Sequence, residues 1–399
     1  MDHEIIKTKT VGYSVSVAAN KIVSLRKNYD ERTTVRVYDD GYIGVAGVIG
    51  KADTEALRSE ARKNLTKHIS YPCMLESGKK RIDPPVQEII PAQEIVPAFE
   101  SLLTELSARA DGFLFGNKIN LSYESVIYEN SRSTFYHANE GALEFALTIK
   151  DKNSPNIMDM VYATRMLVYD RERAIQEILE MISAYESPVP MPEKKLPVVI
   201  EVGDFLSPVL SHFTAELYAS GASLFSGKIG QKIFGDGVDL LLDRNKPYTQ
   251  RFFDAEGVVC KDGKHDLIRN GVLQSVLTTK RTAQAYSLPL AGCAESAYDG
   301  IPQIGVRGLR FGNAASDLAA AGESIFIVLA MGGDMTPTGD MGIPVQLAFL
   351  LKDGKFIGRL PELMLSGNIF DLLGRNFRGA VNLPDGTRRV IADFAVNIS

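Results

Sequence analysis

Cysteine is scarce in this chain: Cys73, Cys260 and Cys293 are its only three among 399 residues. Thiols so few and scattered build no disulfide framework, and a reducing cytoplasm is the default expectation. No apolar run reaches the roughly 18–20 residues that would cross a bilayer. The opening MDHEIIKTKT also lacks the apolar core of a signal peptide, so no membrane association is expected. A basic excess is missing too. Lys and Arg total 44 against 49 Asp and Glu, a net charge of −5. Nucleic acid is therefore not an expected partner, because phosphate binding needs a concentrated Lys/Arg surface. Low-complexity tracts and short-period repeats are absent as well. What is present is a hydrophobic fraction of 45% and a charged fraction of 23%. Those are the proportions of an ordinary globular protein, long enough for about two to three domains.

One boundary stands out. DRERAIQEILEMISAYES (170–187) carries Ala174, Ile175, Ile178, Leu179 and Ile182 at helical spacing. It runs into PVPMPEKKLP, whose four prolines forbid regular helix and favour an extended connector. The expected division is an N-terminal α+β domain over 1–187, a Pro-rich linker over 188–195, and a β-rich domain over 196–399. In the first half, TTVRVYDDGYIGVAG alternates around Val35, Val37, Ile43 and Val45 with Asp40-Gly41 as its turn. Asp53 is placed to cap a helix from Thr54 to about His68, and Phe99, Leu102, Leu103 and Leu106 mark a second helix. Period-two strands follow around Ile119–Tyr123 and Leu143–Ile149. In the second half LPVVIEV reads as a buried strand, and SIFIVLA, apolar on both faces, as a central one. Hairpins are expected on Asn270-Gly271 and Asp353-Gly354. The fold class expected is α+β: a mixed layer of helices and antiparallel sheet, then a strand-rich half with an antiparallel sheet or barrel-like core.

The candidate chemistry centres on SHFTAELYASGASLFSGKIGQKIF (211–234). Ser207-Pro208 would open a helix holding His212, with Glu216 one turn on. A hydrolytic zinc site needs three protein ligands, an open position for water, and a base. His212 and Glu216 supply two ligands at most, and the residue after His212 is Phe213 rather than a glutamate. An isolated helical histidine is more often structural, and the same reading fits His68 and His137. The dipeptide His3-Glu4 is taken as chance at a mobile terminus. GASLFSGKIGQK fails the phosphate-loop pattern, since five residues separate Gly221 from Gly227 and Ile229 follows Lys228. Neither a dinucleotide-binding GxGxxG nor a GxSxG elbow occurs. Cys293, in AGCAES, lacks a basic neighbour to lower its pKa and reads as inert. The loop MGGDMTPTGDMG (331–342) offers Gly332, Gly333, Thr338 and Gly339 as candidate peptide contacts, because polar Gly-rich loops between strands commonly line sites.

Taken in order, SGKIG (226–230), FFDAEGVV (252–259), LIRNGVLQSVLTTKRTAQ (267–284), PTGDMG (337–342), KDGKFIG and LSGNIFDLL resemble the TldD/PmbA family. Its members are also known as modulators of DNA gyrase or peptide-maturation proteases. The resemblance implies a division of labour. TldD-type chains bind zinc through an HExxxH helix and a C-terminal cysteine and cleave peptides; PmbA-type (TldE) chains pair with them and lack the metal ligands. Here the corresponding segment reads HFTAEL: His212 is kept, Phe213 stands for Glu, and Leu217 for the second His. No cysteine follows Cys293. The resemblance therefore implies a non-metal subunit without a cofactor of its own, zinc being expected in an HExxxH partner. The partners implied are that TldD-like subunit, or a second copy of the chain, and an unfolded peptide. Two alternatives stay open: a stand-alone peptidase around His212 and Glu216, and a non-hydrolytic, self-associating peptide-binding protein.

Overall fold

The computed structural model describes residues 1–245, 251–383 and 386–398. Its first half is built on long antiparallel ribbons. Strands β1 (Asp2–Ala18), β2 (Lys21–Asp39) and β3 (Tyr42–Ile49) run into helix α1 (Thr54–Asn64). Short strands β4 (Ile69–Ser70) and β5 (Lys80–Ile82) precede helix α2 (Ile95–Arg109). Then come β6 (Phe113–Asn130), β7 (Phe135–Asp151), β8 (Met160–Met166) and helix α3 (Arg171–Tyr185). The sheet order is β4-β3-β2-β1-β6-β7, with β5 parallel and β8 antiparallel against β7. The β2–β3 turn is the expected one: Asp40 and Gly41 both take positive φ, 45° and 77°. That backbone matches the twist of the flanking strands. Asp53 caps α1, accepting from the N–H groups of Glu55 and Ala56 at 3.0 and 3.1 Å. The helix is shorter than expected, however. It ends at Asn64, and a 3-10 turn over Leu65–Lys67 closes on left-handed His68.

The second half contains β9 (Val198–Glu201), α4 (Val202–Leu206), α5 (Ala215–Ala219), β10 (Leu240–Asp243), β11 (Lys264–Arg269) and β12 (Val272–Leu273). After α6 (Lys280–Tyr286) come β13 (Ala294–Glu295), β14 (Gln303–Ile304), β15 (Leu309–Phe311), β16 (Ser324–Ala330) and β17 (Asp334–Met335). The chain finishes with β18 (Asp340–Lys352), β19 (Lys355–Arg359), β20 (Leu363–Asn368), α7 (Ile369–Leu372), β21 (Phe377–Asn382), β22 (Arg388–Ala392) and β23 (Ala395–Ile398). The main sheet runs β21-β22-β9-β16-β18-β20-β23, and a smaller one β12-β11-β10-β15. Both are open sheets, so the antiparallel-sheet alternative holds and the barrel-like one does not. Among the described residues the parallel strand pairing within the main sheet is β9 with β16. β16 is central, as its apolar character on both faces requires. The hairpins at Asn270-Gly271 and Asp353-Gly354 repeat the positive-φ pair of the first.

Most of the core lies in two clusters. Val198, Ile200, Phe205, Leu240, Leu267, Phe311, Ile343 and Leu365 pack between the two sheets of the second half. Phe99, Leu102, Leu103 and Leu106 of α2 and Ile175, Ile178 and Ile182 of α3 pack on the first sheet. Leu347 and Phe349 of β18 join that second cluster, so the halves share buried apolar surface. No helix among the described residues is long and apolar enough to cross a membrane.

Candidate functional site

The segment around His212 is not the helix its sequence suggests. α4 ends before Ser207-Pro208, a 3-10 turn covers Leu210–Phe213, and α5 starts only at Ala215. Thr214 between them is extended, with φ −77° and ψ 143°. The break has a tertiary cause. The segment pairs with the residues leading to α6: Leu277 N–H donates to Phe213 O at 2.7 Å, and Ala215 N–H to Leu277 O at 3.0 Å. Two backbone bonds to a segment distant in sequence replace the helical ones. His212 and Glu216 consequently do not share a continuous helical face.

The side chains confirm the consequence. Phe213 is fully buried, its ring 4.6 Å from that of Phe225, which in turn contacts Phe234 and Phe370. His212 is half-buried and accepts the Leu224 N–H on Nδ1 at 3.0 Å; burial holds its pKa below the usual imidazole value. Glu216 is exposed on α5. Leu217 offers only carbon. Cys293 is buried, donates to Thr278 O at 3.4 Å, and its thiol is pushed up to about 12 by burial. Tested against zinc chemistry, this donor set does not fit: one imidazole with a committed Nδ1 and a solvated carboxylate are not the three convergent ligands a catalytic site requires. Among the described residues no group of three His, Cys, Asp or Glu side chains is arranged to hold a metal ion.

The 331–342 stretch, which holds β17 and the start of β18, reaches the same aromatic cluster through Gly339. Gly339 sits against Ile369 and Phe370, and is buried, whereas Gly332, Gly333 and Thr338 are exposed. Thr338 Oγ1 donates to Asp340 Oδ2 at 2.7 Å, and Asn368 Nδ2 to Asp340 Oδ1 at 3.0 Å. Those bonds hold the Asp340 carboxyl below the usual carboxylate range and knot the loop.

A second constellation was invisible in the sequence. Glu4, far from lying in a mobile terminus, is fully buried on β1. Its carboxylate accepts from Arg36 Nη1 at 2.7 Å, Tyr38 OH at 2.9 Å and Tyr128 OH at 2.9 Å. The FFDAEGVV segment is folded against this cluster. Phe252 and Phe253 pack on Tyr128 and Tyr136, and Ala255 O accepts from Arg36. Asp254 closes its own turn by accepting from the N–H groups of Glu256 and Val258 at 2.8 and 2.9 Å. Gly257 takes φ +71°, and a Cβ there would stand 2.3 Å from the Tyr128 ring. Only glycine fits that backbone and that approach. Glu256 accepts from Tyr71 OH and from the Lys280 N–H at 3.0 Å, while Lys280 Nζ donates to Glu256 O at 2.7 Å. Burial, then the charge of Asp254, pushes the Glu256 carboxyl up to about 7. The segment thus clamps the second half onto the first sheet.

Beside the clamp lie two hollows. A cleft of about 550 Å³ is lined by residues that include Glu140, Glu144, Arg165, Glu201, Arg307 and Arg388. A smaller cavity of about 140 Å³ has Arg32, Glu124, Arg251, Tyr298 and Arg307 in its wall. Arg307 belongs to both, so they adjoin.

Residues 193–385 match the family described as the PmbA/TldA metallopeptidase C-terminal domain. That stretch belongs to the TldD/PmbA family. Two curated relatives named Metalloprotease are similar over just under half of this chain. One, from Methanothermobacter thermautotrophicus, is 28% identical over 46% of this chain and 42% of its own. The other, from Archaeoglobus fulgidus, is 26% identical over 49% of this chain and 48% of its own. The match therefore spans about half the length of these relatives. Fold similarity extends further. TldE from Thermococcus kodakarensis superimposes with a TM-score of 0.82 at 20% identity, covering 100% of this chain and 97% of that one. A Thermotoga maritima protein described as a candidate modulator of a DNA gyrase gives 0.75 at 17% identity, covering 99% and 96%. The TldD/PmbA-type half thus holds both the broken His212 segment and the clamp.

Proposed function

We propose that this chain is the metal-free subunit of a TldD/PmbA-type zinc peptidase, acting on unfolded or leader peptides together with an HExxxH partner. The observation that carries the reading is the fate of the His212 segment. Phe213, at the position of the family's catalytic glutamate, is a core residue, and the backbone is bent out of helix at Thr214. A pair of ligands on one helical face cannot form there. Its role is then to shape the chamber in which the partner's zinc works.

A surface suited to strand addition supports the same reading. β3 pairs with β2 only over Arg32–Asp39. The outer edge of β2 before Arg32 has no strand beside it among the described residues, and Val23, Leu25 and Tyr29 are exposed there at 62%, 41% and 56%. An edge of that kind accepts an extended segment through main-chain hydrogen bonds, with little demand on side-chain identity. The occupant is the partner, a second copy, or the peptide.

The test is zinc content per chain on protein purified alone and dialysed without chelator, followed by peptide cleavage with and without an HExxxH chain. Essentially no zinc, and chelator-sensitive cleavage only in the mixture, is expected. About one tightly held zinc per chain, or cleavage by the chain alone, would overturn the proposal and favour the stand-alone peptidase.

A further inference from the structure

The cavity between the two halves contains an arginine whose Nε no described residue completes. Arg251 lines the smaller cavity, and its Nε is shielded from solvent without a hydrogen-bond partner. Beneath it, buried Arg244 is bonded to the carbonyl oxygens of Gly292, Arg251 and Phe253, and its Nη2 too is unpartnered. Arg307, on the wall shared with the larger cleft, pairs with Glu295 at 2.9 Å. Burial and these neighbouring cations depress the Arg251 pKa. A guanidinium nitrogen buried without a partner is costly in a folded protein and calls for an explanation, of which a completing ligand is one.

A bare anion is not the best complement. Glu124 lines the same cavity, and Glu140, with a buried Oε1 that also lacks a partner, lines the adjoining cleft. Burial raises the Glu140 pKa, and the charge of Arg251 opposes that rise, so the two groups feel each other across the seam. A ligand that satisfies both walls carries a carboxylate together with N–H donors one or two bonds away. The end of a peptide chain has that chemistry. At roughly 10–15 Å³ of such space per water-sized group, the 140 Å³ cavity has room for a terminal residue and the 550 Å³ cleft for the residues before it.

We infer that the seam binds the carboxyl end of an extended peptide, with the terminal carboxylate facing Arg251 and Arg307 and the last peptide N–H groups facing Glu124 and Glu140. The inference rests on the peptide-handling reading above and gives it a direction: the substrate enters this chain tail first. Charge-assisted pairing to a guanidinium supplies the discrimination between an acid and a neutral end.

The experiment is calorimetric titration of the full chain with N-acetyl-tetra-alanine as the free acid, with its C-terminal amide, and with inorganic phosphate and acetate. The free acid should bind at least about tenfold more tightly than the amide, a ratio within reach of one charged hydrogen-bonded pair. Arg251→Gln should bring that ratio close to one. Equal binding of acid and amide by the wild-type chain would overturn this inference while leaving the peptidase-subunit reading standing. Phosphate or acetate binding as tightly as the peptide acid would overturn it in favour of a simple anion site. If neither peptide binds, this inference falls, and the peptidase-subunit reading is decided by the zinc and cleavage measurements above. The wild-type comparison needs no variant, so it decides the matter even if Arg251→Gln does not fold.

Discussion

Replacing Glu4 by alanine should be among the most damaging single changes near the N-terminus of this chain. The carboxylate takes three hydrogen bonds, from Arg36, Tyr38 and Tyr128, at 2.7–2.9 Å, and both Glu4 and Arg36 are essentially inaccessible to solvent. Removing it strands a buried guanidinium and two phenolic hydroxyls. Breaking a buried pair from one side costs about 3–5 kcal/mol, a large share of the roughly 5–15 kcal/mol that holds a typical domain. The natural control is Lys7→Ala on the same strand. Lys7 also makes a 2.9 Å ion pair, with Glu129, but that pair is 45% and 35% exposed. Its loss should fall within measurement error. Urea unfolding followed by far-UV circular dichroism and tyrosine fluorescence measures both, and the chain's 15 tyrosines without any tryptophan keep that signal clean. A double Glu4→Met, Arg36→Met variant should recover part of the loss, because it leaves no unpaired charge. Equal midpoints for Glu4→Ala and Lys7→Ala would refute the reasoning and return the terminus to a fringe role.

Two further outcomes follow from the clamp. Gly257→Ala adds a Cβ 2.3 Å from the Tyr128 ring at φ +71°, whereas Gly41, at φ +77°, has nothing within 4 Å of its own Cβ position. The first substitution should cost at least about 2 kcal/mol and the second about 1, as read from thermal unfolding; equal costs would mean that the close approach to Tyr128 is unimportant. The second outcome concerns pH. The Glu256 carboxyl titrates near 7 when folded, against an ordinary value of 4.5. The folded chain therefore binds a proton that the unfolded chain has released, so this stabilising contribution is complete below about 4.5 and lost as pH rises through about 7. Glu256→Gln should flatten that part of the stability profile, and parallel wild-type and variant profiles between pH 4.5 and 7.5 would contradict it.

Local chemistry was legible wherever it was decided locally. Asp-Gly and Asn-Gly pairs set three hairpin turns, Asp53 capped its helix, and the 3.6-residue spacing of Phe99, Leu102, Leu103 and Leu106 placed all four in the core. The order of late segments was enough to recognise the family, because glycine turns and the FFDAEG run are short motifs with backbone reasons behind them. Three matters lay beyond the sequence. Thr214 leaves helix because Leu277, 63 residues on, offers backbone hydrogen bonds to its neighbours Phe213 and Ala215 instead. Alternation along β2 puts Thr34, Arg36 and Tyr38 opposite the Val35 and Val37 face, which by itself reads as a solvent side. The second half covers that side, and only then does Arg36 need Glu4. Arg251 and Glu140 are ordinary charged residues in the sequence, and come to line adjoining hollows only where the two halves meet. Turns, caps and helical faces are settled by interactions a few residues apart, which a single sequence displays. Burial of a charge and convergence of a cavity are settled by which surfaces close on each other, and that was decided by the tertiary structure alone.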